Sequence, residues 1–244
     1  RVYSPWVDLD RIMREKHIPL FALESQDPIT EFDFLGITIQ YEMCYTNILQ
    51  VLDLSGIPLL AKDRMDQDPI VIGGGPCTYN PEPITDFFDI FYIGEGETRY
   101  RELIDLYKEC KKKGCSRQDF LRKAACIPEV TYHEDGTIAE RKKLVPEIPD
   151  VIHKELVCDV SETYYPEKPV VPFIKVTQDR VVLEIQRGCI RGCRFCQAGH
   201  IYRPVRSRSE ISILEELRRL AASGYCEVVL TAISLPSYGK DTGT

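Results

Sequence analysis

The chain has 244 residues, of which 43% are hydrophobic and 28% are charged, a composition typical of globular rather than disordered or fibrous proteins. No apolar run approaches the ~20 residues of a membrane-spanning helix, and the beginning of the chain lacks the apolar stretch of a signal peptide. The net charge of −7 excludes a general electrostatic attraction to nucleic acid. We therefore expect a cytoplasmic protein with one large or two modest domains.

The first half of the chain alternates short apolar runs with amphipathic segments. Gly56 and Pro58 are placed to end one of these helices, and Ser116 to begin another. The predicted helices are 8–16, 45–55, 97–112 and 116–125, and the predicted strands are 20–23, 34–39, 70–72 and 90–93. Strands that alternate with helices predict a parallel, doubly wound sheet.

Two glycine-rich turns directly follow the predicted strands 70–72 and 90–93. Their glycines are Gly73, Gly74, Gly75, Gly94 and Gly96. Ligands of doubly wound sheets bind just beyond the carboxyl ends of strands, so these turns are candidate ligand contacts, or simply tight strand-to-helix turns. Glu95 and Glu97 resemble an acid pair, but we interpret them as first-turn residues favoured by the helix dipole.

The middle of the chain predicts a hairpin and then a linker. Residues 129–138 alternate in polarity around an Asp-Gly turn, which is typical of a β-hairpin. Residues 144–172 are rich in proline and charge, which discourages regular structure. We place a domain boundary near residue 175, with domains at 1–143 and 176–244 and a linker at 144–175.

The last part of the chain predicts a strand, a loop, a helix and a second strand. The strands are 181–186 and 227–233, and between them Ser209 is a candidate N-cap and Gly224 a candidate C-cap. The apolar face of the predicted helix comprises Ile213, Leu214, Leu217, Leu220 and Ala221. Such a βαβ unit places functional loops at the carboxyl ends of its strands.

Three cysteines, Cys189, Cys193 and Cys196, lie in the run CIRGCRFC that follows the first of these strands. Three thiolates can hold three irons of a four-iron cluster and leave the fourth iron open. Gly188 and Gly192 precede two of the cysteines, where we expect the loop to require positive φ. The alternatives are three ordinary buried thiols or a zinc site, for which His200 is the nearby candidate fourth ligand.

Three basic residues follow the cysteine loop in the sequence. We interpret the basic residues Arg203, Arg206 and Arg208 as a solvated or carboxylate-paired surface in preference to a phosphate or nucleic-acid contact.

Ten cysteines without a secretory signal predict reduced thiols plus a metal site. The cysteines without ligand spacing include Cys77, Cys110, Cys115, Cys126, Cys158 and Cys226, which we expect to be buried or surface thiols.

The run CIRGCRFC, after a strand and before a helix and second strand, resembles the signature of the radical SAM superfamily. This resemblance implies a [4Fe-4S] cluster on Cys189, Cys193 and Cys196, whose open iron chelates S-adenosylmethionine. It further implies one-electron cleavage of the sulfonium to methionine and a 5′-deoxyadenosyl radical, which takes a hydrogen atom from a substrate. Phe195 matches the family position near the adenine, and an electron donor such as a flavodoxin or ferredoxin is implied.

The wider run EIQRGCIRGCRFCQAGHIYRPVRSRS resembles the subfamily with a cobalamin-binding-like domain before the barrel. The implied fold is an N-terminal Rossmann-like domain over 1–143, incomplete at its start, followed by the start of a partial (β/α) barrel over 176–244. IGGGP and IGEGE resemble its cobalamin-contacting turns, but no Asp-x-His-x-x-Gly sequence is present. The domain is therefore expected either to bind cobalamin or to retain the fold alone.

Two classes of function remain open at this stage. The first is a radical SAM enzyme that acts on an unidentified substrate, and the second is a non-catalytic iron-sulfur or zinc protein. A complete eight-unit barrel takes ~250 residues, so we expect the sequence to be a fragment. Nucleic acid is left open as a partner, and no membrane partner is expected.

Overall fold

The computed structural model describes residues 1–127, 130–131, 146–149, 151–166, 169 and 180–243. The chain divides into two compact units, Arg1–Leu156 (unit 1) and Val157–Thr244 (unit 2). This division falls inside the predicted linker 144–175, and the domain bounds 1–143 and 176–244 stay predictions. Of the predicted hairpin 129–138, only residues 130–131 lie within the described ranges. No helix in those ranges is long and apolar enough to cross a membrane.

Unit 1 is built on a four-stranded sheet in the order β1-β2-β3-β4. The first three strands are parallel, and β4 runs antiparallel to β3. Its strands are β1 (Phe34–Thr38), β2 (Ile70–Gly74), β3 (Ile90–Tyr92) and β4 (Val130–Thr131), and its helices are α1 (Val7–Lys16), α2 (Tyr45–Ser55), α3 (Tyr100–Lys113) and α4 (Arg117–Ala124). The predicted α/β organisation with a parallel sheet is confirmed.

Both faces of this sheet are covered by helices. On one face Leu35 and Val71 belong to a buried cluster that includes Ile48 and Leu52 of α2. On the other face the alternate strand residues form a second cluster with α3 and α4, made up of Ile70, Ile72, Ile90, Leu103 and Phe120. Because β2 and β3 are buried on both faces, they read as continuous apolar runs in the sequence.

Three local predictions in unit 1 are wrong. Residues 20–23 do not form a strand, because the chain turns back at Gln26 and only Phe21 makes an isolated bridge, to Pro28. Helix α3 begins at Tyr100 rather than at 97, because the backbone of Ile93 and Glu95 first bonds to Glu155. Consequently neither Glu95 nor Glu97 lies in the first turn of α3, and their interpretation as helix-dipole residues is also wrong.

A buried ionic network joins β2, the start of α4 and two loops of unit 1, and was not anticipated from the sequence. The Oδ2 atom of Asp89 accepts from Arg64 Nη1 at 2.9 Å, Arg117 Nη2 at 2.7 Å and the backbone N of Val71 at 2.6 Å. All three charged side chains are buried. Burial lowers the pKa of Arg64, and the Asp89 carboxylate opposes this shift. The carboxylate thus compensates two guanidinium groups that water cannot reach.

Unit 2 has a three-stranded sheet in the order β6-β5-β7. β5 and β7 are parallel and β6 is antiparallel to β5, so the predicted βαβ unit is confirmed. The strands are β5 (Val181–Arg187), β6 (Arg206–Ser207) and β7 (Val228–Ala232), and the helices are α5 (Ala198–Ile201) and α6 (Glu210–Ala222). Its assignment as the start of a partial barrel stays a prediction.

The predicted N-cap of α6 is confirmed, whereas the C-cap is Ser223 and the predicted Gly224 is the residue after it. The Ser209 side chain accepts from the backbone N of Ser212, and Gly224, at φ 93°, follows the last turn and donates to the Ala221 carbonyl. The apolar face is narrower than predicted, because Leu214 and Ala221 are exposed. Ile213 and the partly buried Leu217 pack against Leu183 and Ile185 of β5.

Candidate metal centre

The cysteine loop, residues 188–196, begins where β5 ends. Its first residue, Gly188, has φ +86°, and a Cβ atom there would lie 2.4 Å from the Pro204 carbonyl oxygen and 2.5 Å from that of Tyr202. The expected requirement for positive φ at Gly188 is therefore confirmed. At Gly192 the expectation is wrong, because its φ is not positive and a Cβ atom would meet no atom within 4 Å.

A further glycine, which sequence reasoning missed, holds this loop against the next helix. A Cβ atom on Gly199 of α5 would lie 2.5 Å from the carbonyl oxygen of Arg191 in the loop. Gly199 is buried, and no side chain could occupy that position without displacing the loop backbone. No sequence signal pointed to Gly199, because α5 was not predicted and the carbonyl oxygen belongs to the preceding loop.

The three cysteines differ in their exposure. Cys189 is 8% exposed and its Sγ accepts from the backbone N of Arg191 at 3.4 Å. Cys193 is exposed and Cys196 half-buried, and they share one turn in which Cys196 N donates to Cys193 O at 3.1 Å. The loop is therefore anchored at its first cysteine and open to solvent at its second.

The three thiols share one short loop, but their side chains do not converge. Within the described ranges, no three or more Cys, His, Asp or Glu side chains form a group able to hold a metal ion. The donor set nevertheless fits an iron-sulfur cluster, because thiolates are the usual ligands of such clusters and three leave one iron open. His200, the alternative fourth ligand for zinc, lies on α5 and is exposed.

Phe195 is the aromatic residue of this loop, and its side chain is 93% exposed. An aromatic face that the described parts of the chain leave uncovered is available to stack on a planar ligand. The exposure is compatible with a contact to adenine, which stays a prediction. Within the loop, residues 190–195 are all exposed, so this side of the loop is open to solvent.

Two of the three arginines after the loop do not lie on the solvated surface that we expected. Arg206 and Arg208 are buried and bond to backbone or hydroxyl oxygens, whereas Arg203 is exposed. Arg206 Nη1 donates to the Val157 carbonyl at 2.6 Å, and Arg208 Nη2 donates to Thr163 Oγ1 at 2.7 Å. These hydrogen bonds hold the segment 157–163 against β6 and Arg208, which follows it. The interpretation failed because the sequence does not reveal carbonyl acceptors contributed by a distant segment.

Gly73 and Gly74 belong to β2 rather than to a turn, and with the turn after β3 they lie at one edge of the sheet of unit 1, because β2 and β3 are neighbouring parallel strands. A Cβ atom on Gly73 would lie 2.6 Å from the Phe91 ring, and one on Gly94, at φ +113°, would lie 2.3 Å from the backbone of Glu155. Gly75, at φ +92°, approaches the Ile39 carbonyl. Close packing by the chain's own atoms thus accounts for three of the five candidate contacts.

Comparisons with known proteins agree with the cysteine loop and with the two-unit organisation. The family described as "Radical SAM proteins, N-terminal" matches residues 1–132, and the family described as "Radical SAM superfamily" matches residues 183–243. The first match covers more than half of the chain, and the second contains all three cysteines of the loop.

Curated relatives resemble the chain over much of its length. An uncharacterized protein of Methanocaldococcus jannaschii is 31% identical over 231 residues, which are 93% of this chain and 43% of that protein. The ribosomal protein uS12 methylthiotransferase of Acaryochloris marina is 28% identical over 198 residues, which are 74% of this chain and 43% of that protein. The chain therefore spans less than half the length of these relatives.

A shorter similarity links the chain to an enzyme that acts on RNA. The tRNA-2-methylthio-N(6)-dimethylallyladenosine synthase of Carboxydothermus hydrogenoformans is 34% identical over 102 residues, which are 40% of this chain and 23% of that protein.

Proposed function

This chain belongs to the radical SAM superfamily, and we propose that it supplies the cluster-binding loop of an enzyme that cleaves S-adenosylmethionine reductively. Cys189, Cys193 and Cys196 would hold a [4Fe-4S] cluster and leave its fourth iron to S-adenosylmethionine. The observation that carries the proposal is the placement of three thiols on one loop at the carboxyl end of β5, within the matched region. When bound, the cluster supplies the electron that cleaves the sulfonium to methionine and a 5′-deoxyadenosyl radical.

The chain's own residues set the path of the loop. Gly188 permits the turn out of β5, and Gly199 lets α5 approach the Arg191 carbonyl. Cys189 is anchored in the core, and Cys193 is presented on the exposed side. We assign Phe195 to packing against the adenine of S-adenosylmethionine, supported by its uncovered ring.

An external electron donor, such as a flavodoxin or ferredoxin, completes the proposal. Residues 190–195 are exposed, which supports access of a donor protein to this side of the loop. A non-catalytic zinc or iron-sulfur protein is the competing function. His200 on α5 is the candidate fourth ligand for zinc, and metal and sulfide analysis distinguishes the two functions.

For the N-terminal part, we propose a Rossmann-type, cobalamin-binding-like domain over 1–143, a linker over 144–175 and the first part of a radical SAM barrel over 176–244. We further propose that Gly73, Gly75 and Gly94 serve the fold rather than a corrin. Support comes from their contacts, which are to Phe91, Ile39 and Glu155 of the same chain. Equilibrium dialysis of the full-length protein against hydroxocobalamin tests this, and stoichiometric retention of the corrin would contradict it.

The catalytic proposal is tested with the full-length protein that contains this chain. It is reconstituted anaerobically with iron and sulfide, reduced with dithionite and supplied with S-adenosylmethionine. We expect 5′-deoxyadenosine to form in the unmodified protein and in Cys226→Ala, whose thiol is exposed outside the loop, but not in Cys193→Ala. Stoichiometric zinc without sulfide, or an unmodified protein with neither cluster absorbance nor 5′-deoxyadenosine, would overturn the proposal.

A further inference from the structure

Two cysteines outside the cysteine loop lie beside one lysine in unit 1. Lys123 Nζ of α4 is 3.5 Å from Cys115 Sγ and 3.9 Å from Cys110 Sγ. Cys110 lies on α3, and Cys115 lies in the connection between α3 and α4. Two thiols that share one ammonium form a side-chain cluster that the proposed radical chemistry does not use.

The end of helix α3 brings the two cysteines together. Gly114 adopts φ +65°, and the backbone N of Cys115 then donates to the carbonyl oxygen of Cys110 at 3.0 Å. This is the six-residue closure of a Schellman motif, in which the side chains at its two ends contact each other. Both side chains pack into the same hydrophobic cluster. The backbones of Cys110 and Cys115 are therefore close together, as a disulfide between these two residues requires.

The two thiols have different environments. Cys110 is 4% exposed and burial raises the pKa of its thiol, an effect that Lys123 opposes. Cys115 is only partly buried, so small oxidants can reach its sulfur. The hydrogen bond to Cys115 and the proximity of Cys110 raise the pKa of Lys123, whose ammonium is already charged at neutral pH at its ordinary pKa of ~10.4. An accessible sulfur next to a cation, with a second thiol alongside, is the usual arrangement of a redox-sensitive pair.

We propose that Cys110 and Cys115 form a reversible, peroxide-sensitive disulfide in unit 1. The Cys115 thiolate attacks a hydroperoxide, so that an S–O bond forms, the O–O bond breaks and the protonated leaving oxygen departs as water or an alcohol. Cys110 then attacks the Cys115 sulfenic acid, so that an S–S bond forms, the S–O bond breaks and water leaves with the Cys110 proton. Two thiols are oxidised by two electrons in total, and one hydroperoxide is reduced.

The experiment exposes the full-length protein to hydrogen peroxide, blocks the remaining thiols with an alkylating agent and maps the peptides by mass spectrometry. We expect a peptide in which Cys110 and Cys115 are linked, lighter by two hydrogen atoms, and its disappearance after treatment with dithiothreitol. Cys158 and Cys226 are exposed thiols of unit 2 and serve as internal controls for general oxidation. Separately alkylated Cys110 and Cys115, recovered after Cys158 and Cys226 are oxidised, would overturn the proposal.

Two variants test the assigned roles. In Cys110→Ser we expect Cys115 to accumulate as a sulfenic acid that dimedone traps, whereas in Cys115→Ser we expect Cys110 to remain a thiol. The proposed order of attack is refuted by the reverse pattern. Because Cys110 is buried, circular dichroism of both variants establishes that they are folded.

The lysine is tested with a matched pair of charge removals. Lys123→Met keeps the aliphatic stem and removes the ammonium, and we expect disulfide formation to slow several-fold at neutral pH. Lys112→Met removes an exposed charge from α3, where the structure gives no bond to either sulfur, and we expect an unchanged rate. Equal rates in the two variants would contradict the role of Lys123.

Discussion

The sheets of the two units differ in how completely they are covered. In unit 1, β2 and β3 are buried between two hydrophobic clusters, and Gly73, Gly75 and Gly94, at or beyond their carboxyl ends, pack against the chain itself. In unit 2, α6 covers Leu183 of β5, but Val182 is 45% exposed and Leu230 of β7 is 42% exposed. Similar sequence features, a strand followed by a glycine-containing loop, thus serve internal packing in unit 1 and present thiols to solvent in unit 2.

The largest effect is expected where the closed interior of unit 1 depends on a charge. Asp89→Asn leaves Arg64 and Arg117 without their shared carboxylate, and the free energy of unfolding should fall by about 3–5 kcal/mol. Asp105→Asn removes an exposed carboxylate that pairs with Arg101 and Lys108, and should cost no more than about 1 kcal/mol. Urea unfolding measures both. Similar losses in the two variants would show that the interior of unit 1 does not depend on this network.

In unit 2 the corresponding test concerns the turn that starts the cysteine loop. Gly188→Ala places an alanine in the left-handed region of backbone conformation, and its Cβ atom overlaps two carbonyl oxygens. The substitution should destabilise unit 2 by about 2–4 kcal/mol and lower cluster loading. Gly192→Ala adds a methyl group in open space and should leave loading unchanged. Iron content after reconstitution and thermal unfolding provide the measurements. Equal cluster loading in both variants would contradict the assigned role of Gly188 in the turn out of β5.

The packing role of the unit 1 glycines can be tested on adjacent residues. Gly73→Ala places a methyl group 2.6 Å from the Phe91 ring and should cost about 1–3 kcal/mol in unfolding free energy. Gly74→Ala meets no atom within 4 Å and should change stability by less than about 0.5 kcal/mol. Denaturant unfolding distinguishes them. A Gly73→Ala variant as stable as the unmodified chain would indicate that the end of β2 is less tightly packed against Phe91 than the contacts suggest.

The smallest effect is expected at the surface of unit 1, and it depends on pH. Lys111 donates to Asp33 and lowers the pKa of that carboxyl, burial opposes this shift, and Tyr107 adds a hydrogen bond. The ionised carboxylate therefore contributes stability above its unfolded pKa of ~3.9, and this contribution is lost as the pH falls through the lower folded value.

Asp33 is half-exposed, so the contribution should be below about 1 kcal/mol. Asp33→Asn should be less stable than the unmodified chain at pH 7 and equally stable in strong acid. Urea unfolding across this pH range is the measurement. A difference that does not change with pH would rule out ionisation as its source.

Local chemistry determined how much could be predicted from the sequence. Helix α2, its Gly56 cap, the Ser209 cap and strand β5 were predictable, because periodicity and capping depend on neighbouring residues. The Asp89 network and the burial of Arg206 and Arg208 were not, because their partners are distant in sequence.

Within the candidate site, the sequence identified the three cysteines and Gly188 but not Gly199. The role of Gly199 depends on a carbonyl oxygen of the neighbouring loop, whose position no local pattern specifies. Spacing likewise indicated which residues could be ligands but not how their sulfur atoms are arranged.

The assignment of the cluster ligands is tested most directly by counting iron and sulfide in the reconstituted full-length protein. Cys193→Ala should lose the iron and sulfide of one [4Fe-4S] cluster together with its absorbance, because three thiolates are needed to hold three of the irons. Cys226→Ala, with an equally accessible thiol outside the loop, should retain them. A normal cluster spectrum and full iron content in Cys193→Ala would contradict the account.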